Sequence, residues 1–147
     1  MKIDHLTAIV ENADQAASML SRLLGAEPIG STDLAGMRIH TFRVGNVELH
    51  VNAPTGEGPV QTYLREHGSS FHHLALRVDD LDSTLAELEG RGFKPLGAPC
   101  MTAPGLREVF IDPRTTGGVL IQLVQRDAHV APEALNDAAV AALVGST

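Results

Sequence analysis

The feature that most constrains this chain is a pattern that occurs twice. Met1-Lys2-Ile3-Asp4-His5-Leu6-Thr7-Ala8-Ile9-Val10 and Ser70-Phe71-His72-His73-Leu74-Ala75-Leu76-Arg77-Val78 share one shape. Each has a polar residue beside a histidine, then an alternating apolar strand, then a helix start. His5 falls on His73 at an offset of 68 positions (5 to 73), and the same offset carries Asn12 onto Asp80 and Leu20 onto Leu88. A pattern that recurs once across half a chain implies two copies of one folding unit. Each copy presents a histidine early in its first strand.

Composition narrows the function classes. At 147 residues the chain can bury one domain core or two small fused units. Its net charge is −7 and no basic cluster stands out, which argues against a nucleic-acid partner. Cys100 is the single cysteine, so neither a disulfide framework nor a thiolate zinc site is available. No charged-then-apolar leader opens the sequence and no apolar run approaches ~18 residues, so a cytoplasmic protein without a membrane span is expected. Seven histidines are many for this size, and chemistry is expected there.

Ile3 to Val10 alternates as a half-buried strand. Asn12 is placed to cap a helix, with Gln15 three residues on, and Ala13, Ala17, Leu20 and Leu24 recur at helical spacing before Gly25 stops it. A further strand is expected near Glu27 to Ser31. Met37 to Val44 and Val47 to Val51 flank Gly45-Asn46 as a hairpin. Residues 1–52 form the first module, and residues 53–70 a linker whose Val60 to Glu66 makes about two helical turns. In the second module, residues 71–125, Asp80 caps a helix carrying Leu81, Leu85 and Leu88 on one side. A short strand is expected at Lys94 to Leu96, and Arg107 to Ile111 pairs with Val119 to Val124 around Asp112-Pro113 and Gly117-Gly118. Residues 126–147 form a tail in which Pro132 opens an alanine-rich helix to about Leu143.

Strand parity picks out candidate site residues, since residues i and i+2 share a face. In Val47 to Asn52 the apolar residues take one face, leaving Glu48, His50 and Asn52 on the other. In the second module the partner of His50 is Gln122, at an offset of 72 (50 to 122). If each unit curls its sheet into a half-barrel and the concave faces meet, His5, His50, His73 and Gln122 converge. His40 is open to either direction, because a bulge in its strand would reverse it. His72 precedes a candidate ligand and is expected to point away, into packing; His67 and His129 read as surface residues.

These residues resemble the vicinal-oxygen-chelate superfamily over residues 3 to about 125. The matching signatures are Ile3-Asp4-His5, Val44-Gly45-Asn46-Val47-Glu48-Leu49, His72-His73-Leu74-Ala75, Val78-Asp79-Asp80-Leu81 and Gly117-Gly118-Val119-Leu120-Ile121-Gln122-Leu123. The chain looks most like the methylmalonyl-CoA epimerase branch, with glyoxalase I as the nearest alternative. The resemblance implies an α+β fold of two βαβββ modules, forming a curved mixed sheet around a central metal cavity, with the C-terminal helical tail added. It implies one divalent metal ion held by His5, His50, His73 and Gln122, a homodimer, and a small-molecule substrate, either an acyl-CoA or an oxo compound.

Two positions depart from the family pattern. The second ligand, commonly Glu or Gln, is His50; the last, normally Glu, is Gln122. An amide takes no proton at neutral pH, so proton transfer through that last carboxylate does not carry over. Three imidazoles, with or without one amide oxygen, leave a dication uncompensated and a stronger Lewis acid, and suit Zn, Ni, Co or Fe better than Mg. The base is then Glu48, two residues from His50 on the same face, or a metal-bound hydroxide. Three functions follow from the resemblance: an isomerase or lyase acting alpha to a carbonyl through a metal-stabilised enolate, an Fe(II) dioxygenase, or a non-catalytic binding or resistance protein. Arg38, Arg43, Arg65 and Arg107 are the cations available for a CoA or glutathione substrate.

Overall fold

A computed structural model describes residues 1–34 and 36–127. The expected helix in the tail lies outside the described residues, as does His129. The chain divides into two compact units, residues 5–72 and residues 1–4 together with the chain from residue 73. No helix among the described residues is long and apolar enough to cross a membrane.

The first module runs β1 (Lys2–Ile9), α1 (Ala13–Leu24), β2 (Gly30–Leu34), β3 (Met37–Val44) and β4 (Val47–Pro54). Its strands lie in the order β2-β3-β4-β1, with β1 parallel to β4 and the other pairs antiparallel. Helix α1 starts where Asn12 accepts a hydrogen bond from the Gln15 amide at 2.9 Å, one of the orphan donors of a first turn. It ends at Gly25, whose φ of 64° is open to glycine at little cost. The helix buries Ala17 against Phe42 of β3 and Val51 of β4, with Leu20, Leu24 and Leu49 around them. Phe42 is fully buried, worth on the order of 1.5–3 kcal/mol relative to exposure. A short α2 (Pro59–His67) follows, opened by proline at its first position and burying Val60 and Leu64.

The second module repeats the order: β5 (Ser70–Arg77), α3 (Leu81–Gly90), β6 (Cys100–Ala103), β7 (Leu106–Ile111) and β8 (Ile121–Arg126), with a 3-10 turn at Pro113–Thr115. Its strands lie in the order β5-β8-β7-β6, again with one parallel pair, β5 and β8. Asp80 caps α3 through the Ser83 amide at 2.8 Å. Leu81 and Leu85 then pack with Val78, Val109, Ile111 and Leu123. The α+β class and the βαβββ order of both modules stand as expected.

Three strand positions differ from the sequence reading. Strand β2 starts at Gly30, later than expected; it is an exposed edge strand with no apolar alternation to mark it. Residues 94–96 make only a single bridge, Pro95 to Ile111, because proline has no amide to donate to a ladder. The strand of that region is β6, four residues bracketed by Pro99 and Pro104, with a register shift between Met101 and Ala103. The last strand is Ile121–Arg126, two residues later than its apolar run suggested.

Candidate functional site

In the first module the β1–β4 register sets His5 opposite Glu48 and Thr7 opposite His50, so all four share a face. This is the parity read from the sequence. The His5 and His50 rings stack 4.3 Å apart at 12°. His5 is 7% exposed and His50 is half-buried. Glu48 sits beside them, one oxygen 3.2 Å from His50 Nε2 and the other accepting from Arg43 Nη2 at 2.8 Å. A carboxylate at one ring nitrogen selects the tautomer and leaves the lone pair on the other, which is how histidine ligands are oriented. Asn52 lies on the same face, and its Oδ1 is buried with no hydrogen-bond partner among the described residues.

His40 faces the opposite way, because Thr41 rather than His40 stands opposite His50. Its ring bridges the helix side, Nδ1 to Ser31 Oγ at 2.7 Å and Nε2 to Asp14 Oδ1 at 2.6 Å. His72 also points into packing, edge-on to Tyr63 at 4.6 Å. Burial, with the neighbouring His67 adding to it, pushes His72 down to about 4. His67 is exposed.

The second module mirrors this arrangement. Gln122 stands opposite Ala75 of β5 and Phe110 of β7, so His73, Ala75, Gln122 and Phe110 share a face. His73 is buried and meets Phe110 edge-on at 5.2 Å. Gln122 is 2% exposed, and its Oε1 has no hydrogen-bond partner among the described residues. Leaving such an oxygen unpaired costs roughly 1–3 kcal/mol, which marks it as an acceptor held for something else.

Two features of this module escaped the sequence reading. Asp4, buried, is clamped by Arg77 Nε at 2.8 Å and by Arg126 Nη2 and Nε at 2.8 and 3.0 Å. Glu108 of β7 stands opposite Val124, on the Gln122 face, and is 4% exposed. Burial drives its carboxyl up to about 7 and the Asp4 charge adds to this; the Thr102 hydroxyl and Arg126 only partly oppose it. Thr102 Oγ1 itself makes no well-formed hydrogen bond among the described residues, so its pull is weak. The sequence signal was a lone acid in a strand that is apolar on both faces.

The four arginines considered for an anionic substrate are all paired: Arg38 with Asp33 at 2.8 Å, Arg43 with Glu48, Arg65 with Glu57, and Arg107 twice with Asp82 at 2.9 Å. Among the described residues no group of three or more His, Cys, Asp or Glu side chains gathers into a metal-holding cluster. Each module taken alone nevertheless presents neutral donors suited to a borderline divalent ion: two stacked imidazoles in one, a buried imidazole and an orphaned amide oxygen in the other.

Similarity to known proteins agrees with this architecture. Human mitochondrial methylmalonyl-CoA epimerase is 24% identical over 129 residues, covering 84% of this chain and 73% of its own length. The crystal structure of methylmalonyl-CoA epimerase from Mycobacterium tuberculosis superposes with a TM-score of 0.74 at 26% identity, covering 86% of this chain and 88% of that one. Streptomyces coelicolor methylmalonyl-CoA epimerase in complex with 2-nitronate-propionyl-CoA gives 0.76 at 24% identity, covering 90% and 99%. Residues 4–110 match the family model of the glyoxalase/bleomycin resistance protein/dioxygenase superfamily. With the βαβββ repeat of the vicinal-oxygen-chelate fold in both modules, the chain belongs to that superfamily.

Proposed function

We propose that this chain is a divalent-metal-dependent epimerase acting at the carbon alpha to the carbonyl of an acyl-CoA thioester. The observation that carries the reading is the buried Gln122 Oε1, left without a partner among the described residues on the face that also bears His73. It supports the last-strand position as a donor site with an amide in place of the family's carboxylate. The stacked His5–His50 pair supports the same reading from the first module, and the epimerases of similar fold support the substrate class. His5, His50, His73 and Gln122 would hold the ion, chosen among Zn, Ni, Co and Fe. Such an ion, when bound, supplies a Lewis acid that polarises the thioester carbonyl and acidifies the adjacent C–H.

The chain's own residues supply the rest. Glu48, on the His5–His50 face, accepts the alpha proton, and Arg43 holds its carboxylate in orientation. His50, bonded to Glu48, couples the donor set to the base. The reaction moves only a proton, so no redox partner is needed.

Metal analysis of the purified protein, with turnover of methylmalonyl-CoA in deuterium oxide, tests this. The expected result is about one ion per chain, deuterium incorporated at the alpha carbon and interconversion of the two epimers. A protein that takes up none of Zn, Ni, Co or Fe, and gains no thermal stability from them, refutes the metal site. A metal-loaded protein that neither exchanges nor interconverts the epimers refutes the reaction. The expected homodimer is read from the solution mass in the same preparation.

A further inference from the structure

We propose that Ser31, His40 and Asp14 form a second, hydrolytic site on the helix side of the first module, one that cleaves small activated acyl esters through an acyl-serine. The inference is independent of the epimerase reading, because these side chains lie on the sheet face opposite His5, His50 and Glu48. All three belong to residues 5–72, so the site is complete within one compact unit.

Strand register sets Ser31 of β2 directly opposite His40 of β3. Ser31 Oγ lies 2.7 Å from His40 Nδ1, and Asp14 Oδ1, in the first turn of α1, lies 2.6 Å from Nε2. An ionised carboxylate only accepts, so the bond to Asp14 places the hydrogen of the neutral ring on Nε2. Nδ1 then carries the lone pair, and the Ser31 hydroxyl donates to it. These are the roles of nucleophile, base and orienting acid in a Ser-His-Asp site, with the two ring nitrogens exchanged. Burial divides in the same way: His40 is 8% exposed and held in place, whereas Ser31 is exposed and open to a substrate.

The surroundings supply charge for the developing oxyanion. Arg38 is the diagonal neighbour of Ser31 on this face, with Nε 2.8 Å from Asp33 and 4.0 Å from Asp14. Diagonal positions stand ~7–8 Å apart, a span the arginine side chain covers, so its guanidinium can meet a carbonyl oxygen held at Ser31. Strand β2 is also an edge of the sheet, so alternate amides point away from β3 and add donors. Residues 30–33 are exposed, which suits small acyl groups reached from solvent. His40 is the one acid at the site, which suits leaving groups that need little protonation: a phenolate or a thiolate.

The step balances without a further reactant except water. Ser31 Oγ bonds to the acyl carbon as its proton passes to His40 Nδ1, and the carbonyl electron pair moves onto oxygen. The pair returns as the C–O or C–S bond breaks, and the leaving group departs with the proton from Nδ1. Water then attacks the acyl-serine and gives Nδ1 a proton. The carboxylic acid leaves as that proton returns to Ser31 Oγ, and Asp14 steadies the imidazolium formed at each stage.

The test is hydrolysis of p-nitrophenyl acetate by wild type, Ser31→Ala, His40→Gln and Asp14→Asn, together with a fluorophosphonate probe whose attachment is located by peptide mass spectrometry. Wild type should take up about one label per chain, on Ser31. Hydrolysis should fall ~10²–10⁴-fold in Ser31→Ala and His40→Gln, and at least about tenfold in Asp14→Asn, where the ring loses its fixed tautomer. His67→Gln, which removes an exposed imidazole elsewhere, should change neither readout and so separates the site from the reactivity of a surface histidine. Asp14 is exposed, so Asp14→Asn keeps the test readable if Ser31→Ala disturbs β2. Wild type that hydrolyses the ester no faster than Ser31→Ala or Asp14→Asn, or that takes its label at a residue other than Ser31, overturns the proposal.

Discussion

Replacing Glu108 by Gln should change how stability depends on pH, in a direction that follows from its burial. The carboxyl rises from 4.5 to about 7 on folding. Between those values the unfolded chain has given up this proton and the folded chain still holds it, so stability falls as pH rises. The contribution is complete below about pH 4.5 and gone above about pH 7. A rise of roughly 2.5 units, at about 1.36 kcal/mol each, amounts to about 3 kcal/mol. Glu108 is only 4% exposed, so solvent screening takes little of this.

The effect is hidden in wild type by a second group of opposite sign. His72 falls from 6.5 to about 4 on folding, so it destabilises the fold as pH drops through nearly the same window. Glu108→Gln removes one slope and exposes the other. Urea denaturation of both proteins, without added metal, from about pH 4.5 to about pH 8 measures the difference. The variant should gain about 3 kcal/mol on wild type across that range, nearly all of it by pH 7. A difference flat to within about 0.5 kcal/mol refutes the buried, protonated carboxyl.

Three further perturbations follow from the same contacts. Glu48→Gln should lower epimerisation by ~10²–10⁴-fold while metal content, read by elemental analysis, stays at the wild-type level; unchanged turnover would remove Glu48 from the mechanism. His72→Phe, which keeps a ring against Tyr63, should gain up to about 3 kcal/mol on wild type as pH falls from 6.5 to about 4, because the lowered His72 pKa no longer offsets the opposite slope of Glu108; urea denaturation at each pH measures it, and a constant difference would refute the buried neutral imidazole. Asp4→Ala leaves Arg77 and Arg126, both partly exposed to solvent, without their shared carboxylate and should cost about 2–3 kcal/mol in urea denaturation; a cost below about 1 kcal/mol would make the cluster a screened surface pair.

What the sequence made legible was whatever is set by short-range rules. Asn12 and Asp80 cap their helices as their side chains require, and Gly25 stops α1 with a positive φ. The parity of Val47 to Asn52 placed His50 and Glu48 on the His5 face because the pleat leaves no alternative once Leu49 and Val51 face the helix. The misses have a physical reason too. Strand β6 is an edge strand between two prolines, so it lacks an apolar signature. The direction of His40 depended on whether its strand bulged, and an uninterrupted β3–β4 ladder settled it. The Asp4 cluster joins residues 73 and 122 positions apart, a contact that no local pattern announces. Leu106 to Ile111 is apolar on both faces, so parity could not mark Glu108 as belonging to the Gln122 face.

The departures at His50 and Gln122 share one logic on the proposed reading. Both changes make the proposed ligand set neutral, and the proposed base Glu48 stands beside a donor position rather than in it. Arg43 and His50 at its two oxygens fix its orientation on the His5–His50 face. On the proposed reading, then, the ion is left to neutral donors that preserve its Lewis acidity, and the protons are left to side chains the ion does not neutralise. Gln122→Glu would undo that separation: metal affinity, read by competition with a chelator, should rise while turnover of methylmalonyl-CoA falls, and a variant in which both move the same way would refute the argument.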